Sequence, residues 1–290
     1  DFGSNAIVKM GEAVGVQCLR IIDRDELRER EPSANGLEAL LSPSGAVIDS
    51  VGFLNAVVNE AISLGAEYCL DTKVYGISEK KVITDKGDFL AKHIINCAGL
   101  FADKIAHMMN VGLKHRIIPF KGSYKEIKGI PINSMIYPVP DLRYPFLGVH
   151  LTKTYDGRVL AGPNSSLAFG REAYDGMNLK ETVELFKLGR FWRMISRPDF
   201  MRLAFSNARI SISEKAFLGE VRKLTYLIER DNIFPYRAGI RAQMVDYKGN
   251  MVNDIIVERG KNSTHVLNAV SPGMTASLAF AEYIVCNYLK

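Results

Sequence analysis

The period of apolar residues along this chain changes several times, and each change predicts an element. Residues 16–22 form a short apolar run that reads as a strand. Asp23 then precedes a charged stretch reaching Glu31, which predicts an Asp-capped helix. Pro32 stops it, because proline has no N–H to give and its ring clashes with the turn before it. From residue 50 to 64 the period is helical: Leu54, Val57, Val58, Ala61 and Ile62 make one apolar stripe, and Gly65 suits the left-handed residue that closes a helix. Strands are predicted next over residues 66–70 and 74–77. A hairpin follows from 82–84 and 89–95 around Asp85-Lys86-Gly87-Asp88. The apolar run at 93–96 ends in Cys97-Ala98-Gly99 and leads into a helix over residues 102–109.

The middle of the chain reads as strands over residues 117–127, 135–139, 146–152 and 158–161. Pro131, Pro138 and Pro140 point to an irregular antiparallel sheet there, since proline cannot donate to a central ladder. Residues 179–195 and 213–229 read as helices with a further helical stretch between them. Strands are predicted over 236–245 and 254–258 around Tyr247-Lys248-Gly249-Asn250. Residues 265–270 then pass through Ser271-Pro272-Gly273 into a last helix over 274–289. The class is α/β (α+β), with a mixed, largely antiparallel sheet.

Composition narrows the function. With 290 residues, 47% hydrophobic and 24% charged, the chain is globular, not disordered or fibrous, and long enough for one or two domains. A net charge of +5 without any basic run gives no nucleic-acid footprint, although it leaves a peripheral contact with an acidic lipid surface open. No apolar run approaches the ~18 residues of a membrane span. Cys18, Cys69, Cys97 and Cys286 form no CxxC pair, so reduced, buried thiols in a cytoplasmic protein are expected. His93, His107, His115 and His265 have no partners at metal-ligand spacing, and no metal is expected. Neither GxGxxG, Walker, GxSxG nor HExxH patterns occur.

Four places carry chemistry. The turn Ser271-Pro272-Gly273-Met274-Thr275 joins a strand to a helix; its free N–H groups suit an anion or the pyrimidine edge of a flavin, or it is an ordinary turn with Pro272 opening the helix. Cys97-Ala98-Gly99 allows close approach of a bulky ligand, or merely tight packing. Arg241, in Ala238-Gly239-Ile240-Arg241-Ala242, is a carboxylate clamp or the partner of an Asp at a sheet edge. Lys121, Tyr124, Tyr137 and His150 are polar residues of the middle sheet. His150 alternates with Val149 and Leu151, so it faces away from them, either to solvent or into a cavity where it suits a general base.

Several stretches together resemble the L-2-hydroxyglutarate oxidases and dehydrogenases, FAD proteins of the wider D-amino-acid oxidase and glycerol-3-phosphate dehydrogenase group. They are Pro119-Phe120-Lys121-Gly122-Ser123-Tyr124, Pro145-Phe146-Leu147-Gly148-Val149-His150-Leu151-Thr152, Gly162-Pro163-Asn164, Leu167-Ala168-Phe169-Gly170-Arg171-Glu172, Arg237-Ala238-Gly239-Ile240-Arg241-Ala242-Gln243, Val252-Asn253-Asp254 and Leu267-Asn268-Ala269-Val270-Ser271-Pro272.

The resemblance implies an FAD-binding domain in split segments, here residues 49–111 and 239–290, and a substrate domain over 1–48 and 112–238. It implies that Val74 meets the adenine, that Cys97, Ala98, Gly99 and Gly239 lie near the dinucleotide, and that Ser271, Pro272, Gly273, Met274 and Thr275 face the isoalloxazine. Arg241 would hold the carboxylate of a 2-hydroxy dicarboxylate, Lys121, Tyr124 and Tyr137 would line the substrate face, and His150 would be the base. Oxygen or a quinone would reoxidise the flavin. The family turn usually reads Ser-Pro-Ala-Ala-Thr and often has Arg in place of Lys121. Its opening GxGxxG segment has no counterpart here, so the chain is expected to be truncated, to bind FAD weakly and to be inactive alone. An amine or glycerol-3-phosphate oxidoreductase and a non-catalytic binding module are the alternatives.

Overall fold

A computed structural model describes residues 2–139, 148–270 and 273–289. The chain opens with α1 (Phe2–Ala13), β1 (Arg20–Asp23), α2 (Arg24–Arg30), β2 (Glu38–Leu41) and α3 (Ser50–Ser63). Short strands follow: β3 (Val74–Ile77), β4 (Lys81–Thr84), β5 (Gly87–Leu90) and β6 (Ile94–Asn96), then α4 (Ala102–Met108). The middle holds β7 (Arg116–Ile127), β8 (His150–Lys153), β9 (Val159–Gly162) and β10 (Ser166–Leu167). Helices α5 (Leu179–Phe186), α6 (Gly189–Ile195), α7 (Pro198–Ile212) and α8 (Glu214–Arg222) precede β11 (Ile233–Val245), β12 (Ile256–Gly260), β13 (Ser263–Asn268) and α9 (Ser277–Tyr288). These elements divide into two compact units. One comprises Asp1–Glu67, Gly122–Ser166 and Ala204–Gly239; the other comprises Tyr68–Lys121, Leu167–Leu203 and Ile240–Lys290.

In the first unit, Asp23 Oδ1 accepts from the N–H groups of Asp25 and Glu26, capping α2 as its sequence predicts. Asp49 caps α3 in the same way, and Gly65 takes φ +95° beyond its end. The apolar stripe of α3 forms, but no residue of the helix is buried. The core lies elsewhere. Antiparallel strands β7, β9 and β8 present Ile127, Val159, Ala161 and Leu151 on one face, and Phe217, Val221, Leu224 and Ile228 cover them. Each such burial of a side chain larger than alanine contributes about 1.5–3 kcal/mol. Glu31, 3% exposed, accepts from the N–H groups of Asn133 and Ser134 and from the Ser134 hydroxyl, which satisfies a buried carboxylate.

In the second unit, β13 pairs antiparallel with β12 and parallel with β6, and β3–β4–β5 form an antiparallel meander. Successive residues of β7 point to opposite faces. Ile117 therefore joins Ala102, Ala106, Val111, Met244 and Leu267 in one core, while Ile118 and Phe120 join Leu185, Phe191, Met194 and Val245 in another.

The structure departs from the sequence reading in several places. Residues 66–70 form no strand; they are exposed and their backbone has no neighbouring strand. Residues 16–19 likewise precede, and do not join, β1. Residues 135–139 contribute only the bridge Ile136↔Leu151. The helix expected over 179–195 is broken, because Leu188 takes extended backbone (ψ 112°) and packs with Leu185 and Phe191. The helix expected to 229 stops at Arg222, where the chain turns to give Asn35 N–H the Leu224 carbonyl and to pair Ala34 with Thr225. All four cysteines are free but exposed, not buried, since each lies in a turn or loop or, as Cys286, on the open side of α9.

Candidate functional site

The first unit assembles a row of side chains across neighbouring strands. His150 of β8 pairs with Gly162 of β9. A Cβ built on Gly162 would stand 3.0 Å from Tyr124 Cδ1 and 2.9 Å from Ser123 O, so β7 runs directly against that glycine. Beyond β8, the bridge Ile136↔Leu151 brings Tyr137 alongside His150, and the two rings stack at 4.4 Å and 23°. Tyr124, Gly162, His150 and Tyr137 thus lie side by side on the sheet face opposite the one covered by Phe217 and Val221. Gly162 adopts φ +142° and contributes no side chain, which leaves room between Tyr124 and His150. The lane is latched: Asn164 Oδ1 accepts from Ser123 N–H at 2.7 Å, and Asn164 N–H returns to Ser123 O at 3.2 Å.

His150 is buried, and its Nδ1 lies 3.0 Å from the Gly148 carbonyl. A carbonyl can only accept, so Nδ1 carries the proton and Nε2 keeps a lone pair. Burial pulls the His150 pKa below its ordinary value, against the opposing pull of the Gly148 carbonyl. The imidazole is therefore neutral at pH 7. Burial, and then the neighbouring Tyr137, push the Tyr124 phenol upward, so Tyr124 is a neutral hydroxyl. Of the two orientations open to His150 from alternation, the structure selects the buried one.

The second unit holds most of the remaining candidates. Lys121 Nζ donates to the Tyr174 carbonyl and lies 3.9 Å from Asp175 Oδ1. Arg241 is on β11; partial burial lowers its guanidinium below its usual value yet leaves it protonated. Val74 opens β3, opposite Thr84. After β6, Asn96 governs the Cys97-Ala98-Gly99 turn: its Oδ1 accepts from Ala98 N–H at 3.1 Å, and its Nδ2 donates to Ala102 O at 2.8 Å and to His265 Nδ1 at 3.1 Å. His265, fully buried, spends its Nε2 on Ser263 Oγ, so it is structural. Gly99, at φ +51°, has no neighbour within 4 Å of a built Cβ, so open space lies beside its backbone. Gly239, on the first-unit part of β11, is likewise open. Desolvation raises the Cys97 thiol, so it is not an activated thiolate.

Gly273, Met274 and Thr275 form the turn before α9, and a Cβ on Gly273 would stand 3.2 Å from both Ala269 O and Val270 O. Ser271 and Pro272, with the motif residues Pro145-Phe146-Leu147, lie outside the described residues. No group of His, Cys, Asp and Glu among the described residues could hold a metal ion. The small-residue turn Cys97-Ala98-Gly99, with open space at Gly99, fits a bulky planar or phosphate-bearing cofactor.

Residues 4–286 match the family described as FAD dependent oxidoreductase. The chain belongs to that family. As an FAD-dependent oxidoreductase it is 34% identical, over 98% of its length, to the L-2-hydroxyglutarate dehydrogenase of Indibacter alkaliphilus, of which it covers 73%. It is 32% identical over 91% of its length to the L-2-hydroxyglutarate dehydrogenase of Escherichia coli K12, covering 64% of it. It is 30% identical over 96% to the mitochondrial enzyme of that name from Homo sapiens, covering 65%. The chain thus spans about two thirds of the length of these relatives. The fold is shared with an L-alpha-glycerophosphate oxidase from Mycoplasma pneumoniae, solved with FAD bound (TM-score 0.71, 19% identity, 97% of this chain and 67% of that one). A glycine oxidase from Bacillus cereus shares it too (TM-score 0.61, 12% identity, 98% and 69%). No helix among the described residues is long and apolar enough to cross a membrane.

The sequence pointed to Tyr124, Tyr137 and His150 together, as polar residues of the middle sheet. It gave no role of its own to Gly162, which enters there only within Gly162-Pro163-Asn164, or to Asn96, whose side chain sets the turn after β6. The only local signal for Asn96 was an Asx residue two places before a backbone N–H it could accept from.

Proposed function

We propose that this chain carries the substrate-binding chemistry of an FAD-dependent oxidoreductase acting on a 2-hydroxy acid, with L-2-hydroxyglutarate as substrate and 2-oxoglutarate as product. The observation that carries the reading is the buried His150, neutral and with Nε2 free, in a row with Tyr124 and Tyr137. The 30–34% identity to L-2-hydroxyglutarate dehydrogenases supports the substrate over an amine or a glycerol phosphate.

FAD, when bound, would supply the hydride acceptor for oxidation of the carbinol carbon. His150 Nε2 takes the proton of the substrate hydroxyl, and its fixed Nδ1–H keeps the ring in the tautomer that can do so. Tyr137, stacked on the imidazole, holds its plane, and the Tyr124 hydroxyl donates to a substrate oxygen. Arg241 pairs with a substrate carboxylate through its planar fork, and Lys121 meets the other as a point charge. Cys97, Ala98, Gly99, Val74, Gly239 and the turn Gly273–Thr275 hold the cofactor, together with Ser271 and Pro272. Residues 49–111 and 239–290 make the cofactor domain and the rest the substrate domain. Oxygen or a quinone takes the electrons, in the cytoplasm or at the inner face of a membrane.

A substrate panel on the FAD-loaded protein with an artificial electron acceptor tests this. L-2-hydroxyglutarate is expected to exceed glycerol 3-phosphate and glycine in kcat/KM by about 10²-fold. A preference for either competitor overturns the assignment. Arg241→Lys is expected to lower kcat/KM by about 10²-fold, and an unchanged value removes Arg241 from the site.

A further inference from the structure

Within the second unit, apart from the residues given roles above, lies a cavity of about 250 Å³ between β7, α4 and α5. Its lining carries the cations Lys104, Arg116, Arg171 and Lys187, the acids Glu181 and Glu184, and the apolar residues Ile117, Pro119, Leu185 and Leu188. The cations differ in what they already hold. Arg171 is committed to Asp103, with Nη1 2.5 Å from Oδ1 and Nη2 2.9 Å from Oδ2. Lys104 is committed to Glu181 at 3.1 Å and Glu184 at 3.4 Å.

Arg116 is placed otherwise. Its nearest carboxylate oxygen is Asp103 Oδ2 at 4.0 Å, beyond hydrogen-bond reach. Asp103 also has nothing left to offer, since its two oxygens accept from Arg171, Lys104 N–H and Ile117 N–H. Arg116 is a third exposed in its side chain. Lys187 caps the C-terminal end of α5 and makes no ion pair among the described residues. Arg190 cannot neutralise the pair; it is another cation, spent on the carbonyls of Lys114 and Val245. The two acids of the lining, Glu181 and Glu184, share Lys104, so one carboxylate charge is left over. Set against Arg116 and Lys187, neither of which has a carboxylate within hydrogen-bond distance among the described residues, it leaves the cavity one net positive charge beside its apolar residues.

We infer that this cavity is a binding site for an amphipathic anion, an acidic head group on a short apolar body, with Arg116 and Lys187 holding the head and Leu185 and Leu188 the body. A carboxylate and a phosphate monoester share this chemistry. Neither half alone satisfies both sets of residues: a bare anion leaves the leucines wet, and a neutral hydrocarbon leaves the guanidinium without an acceptor.

Calorimetric titration of the full chain with hexyl phosphate, hexanoate, inorganic phosphate and hexanol tests the inference. Hexyl phosphate or hexanoate is expected to bind at about millimolar Kd or tighter, and at least about tenfold more tightly than both inorganic phosphate and hexanol. Whichever of the two binds more tightly identifies the head group. Arg116→Gln with Lys187→Gln is expected to weaken that binding about tenfold or more, while the circular dichroism of the variant matches the parent. Leu188→Asn is expected to weaken hexyl phosphate but not inorganic phosphate. Equal binding of the head and the whole ligand, affinity unmoved by the charge variant, or no heat up to about 5 mM overturns it.

Discussion

The ion pair Arg171–Asp103 is the most exacting test of how the second unit is held together. Asp103 is fully buried and Arg171 nearly so, and the pair is bidentate. Burial alone would raise the Asp103 pKa, but the Arg171 hydrogen bonds and charge, with Ile117 N–H, outweigh it and hold the carboxyl below its ordinary value. Replacing Arg171 by Met removes the fork and its bond to the Leu100 carbonyl, and leaves a buried carboxylate with backbone donors alone. Breaking one side of such a pair costs about 3–5 kcal/mol. Asp103→Asn strands the guanidinium instead, at similar cost. The double variant is expected to cost about as much as either single change, giving a coupling of about 3–5 kcal/mol.

Trp192, the one tryptophan of the chain, sits on α6 in the same unit, so its fluorescence in urea reports this unfolding. With a slope of about 2–3 kcal/mol/M, the midpoint of each single variant is expected to fall by about 1–2 M. The pH dependence supplies a second arm. A carboxyl lowered by folding contributes stability above its unfolded value near 4, and that contribution fades as pH falls through 4 toward the lower folded value. The Asp103→Asn variants lack that part of the acid sensitivity. Single changes below about 1 kcal/mol, or strictly additive ones, would refute the reasoning.

Two further outcomes follow from the row across the first unit. His150→Gln is expected to lower kcat by about 10²-fold or more with KM little moved, and the parent's kcat/KM is expected to keep its plateau to below pH 6.5, because burial lowers the imidazole. A limb at or above pH 7 would remove His150 as the base. Gly162→Ala is expected to cost about 2–5 kcal/mol in denaturant, from backbone strain at φ +142° plus overlap with Ser123 O and Tyr124. A change under about 0.5 kcal/mol would show that the lane has slack.

What the sequence revealed and what it hid divide by range. Asp23 and Gly65 announced helix ends correctly because capping is decided within three or four residues. The alternation Val149-His150-Leu151 correctly set His150 apart from its neighbours for the same reason. Gly162 looked like any turn glycine, because its importance comes from Tyr124 on another strand. Arg171 and Asp103 are 68 residues apart and share no local pattern. The stop of α8 at Arg222 was invisible for the same cause: the competing partners, Ala34 and Asn35, lie far upstream. The expectation of buried thiols failed because apolar flanks say nothing about which side of a turn a single side chain takes.

Asn96 has a last consequence. Because one amide side chain ties Ala98 N–H and the Ala102 carbonyl together, the backbone around Gly99 is held by Asn96. A ligand bound beside that turn would therefore forfeit little entropy in ordering it.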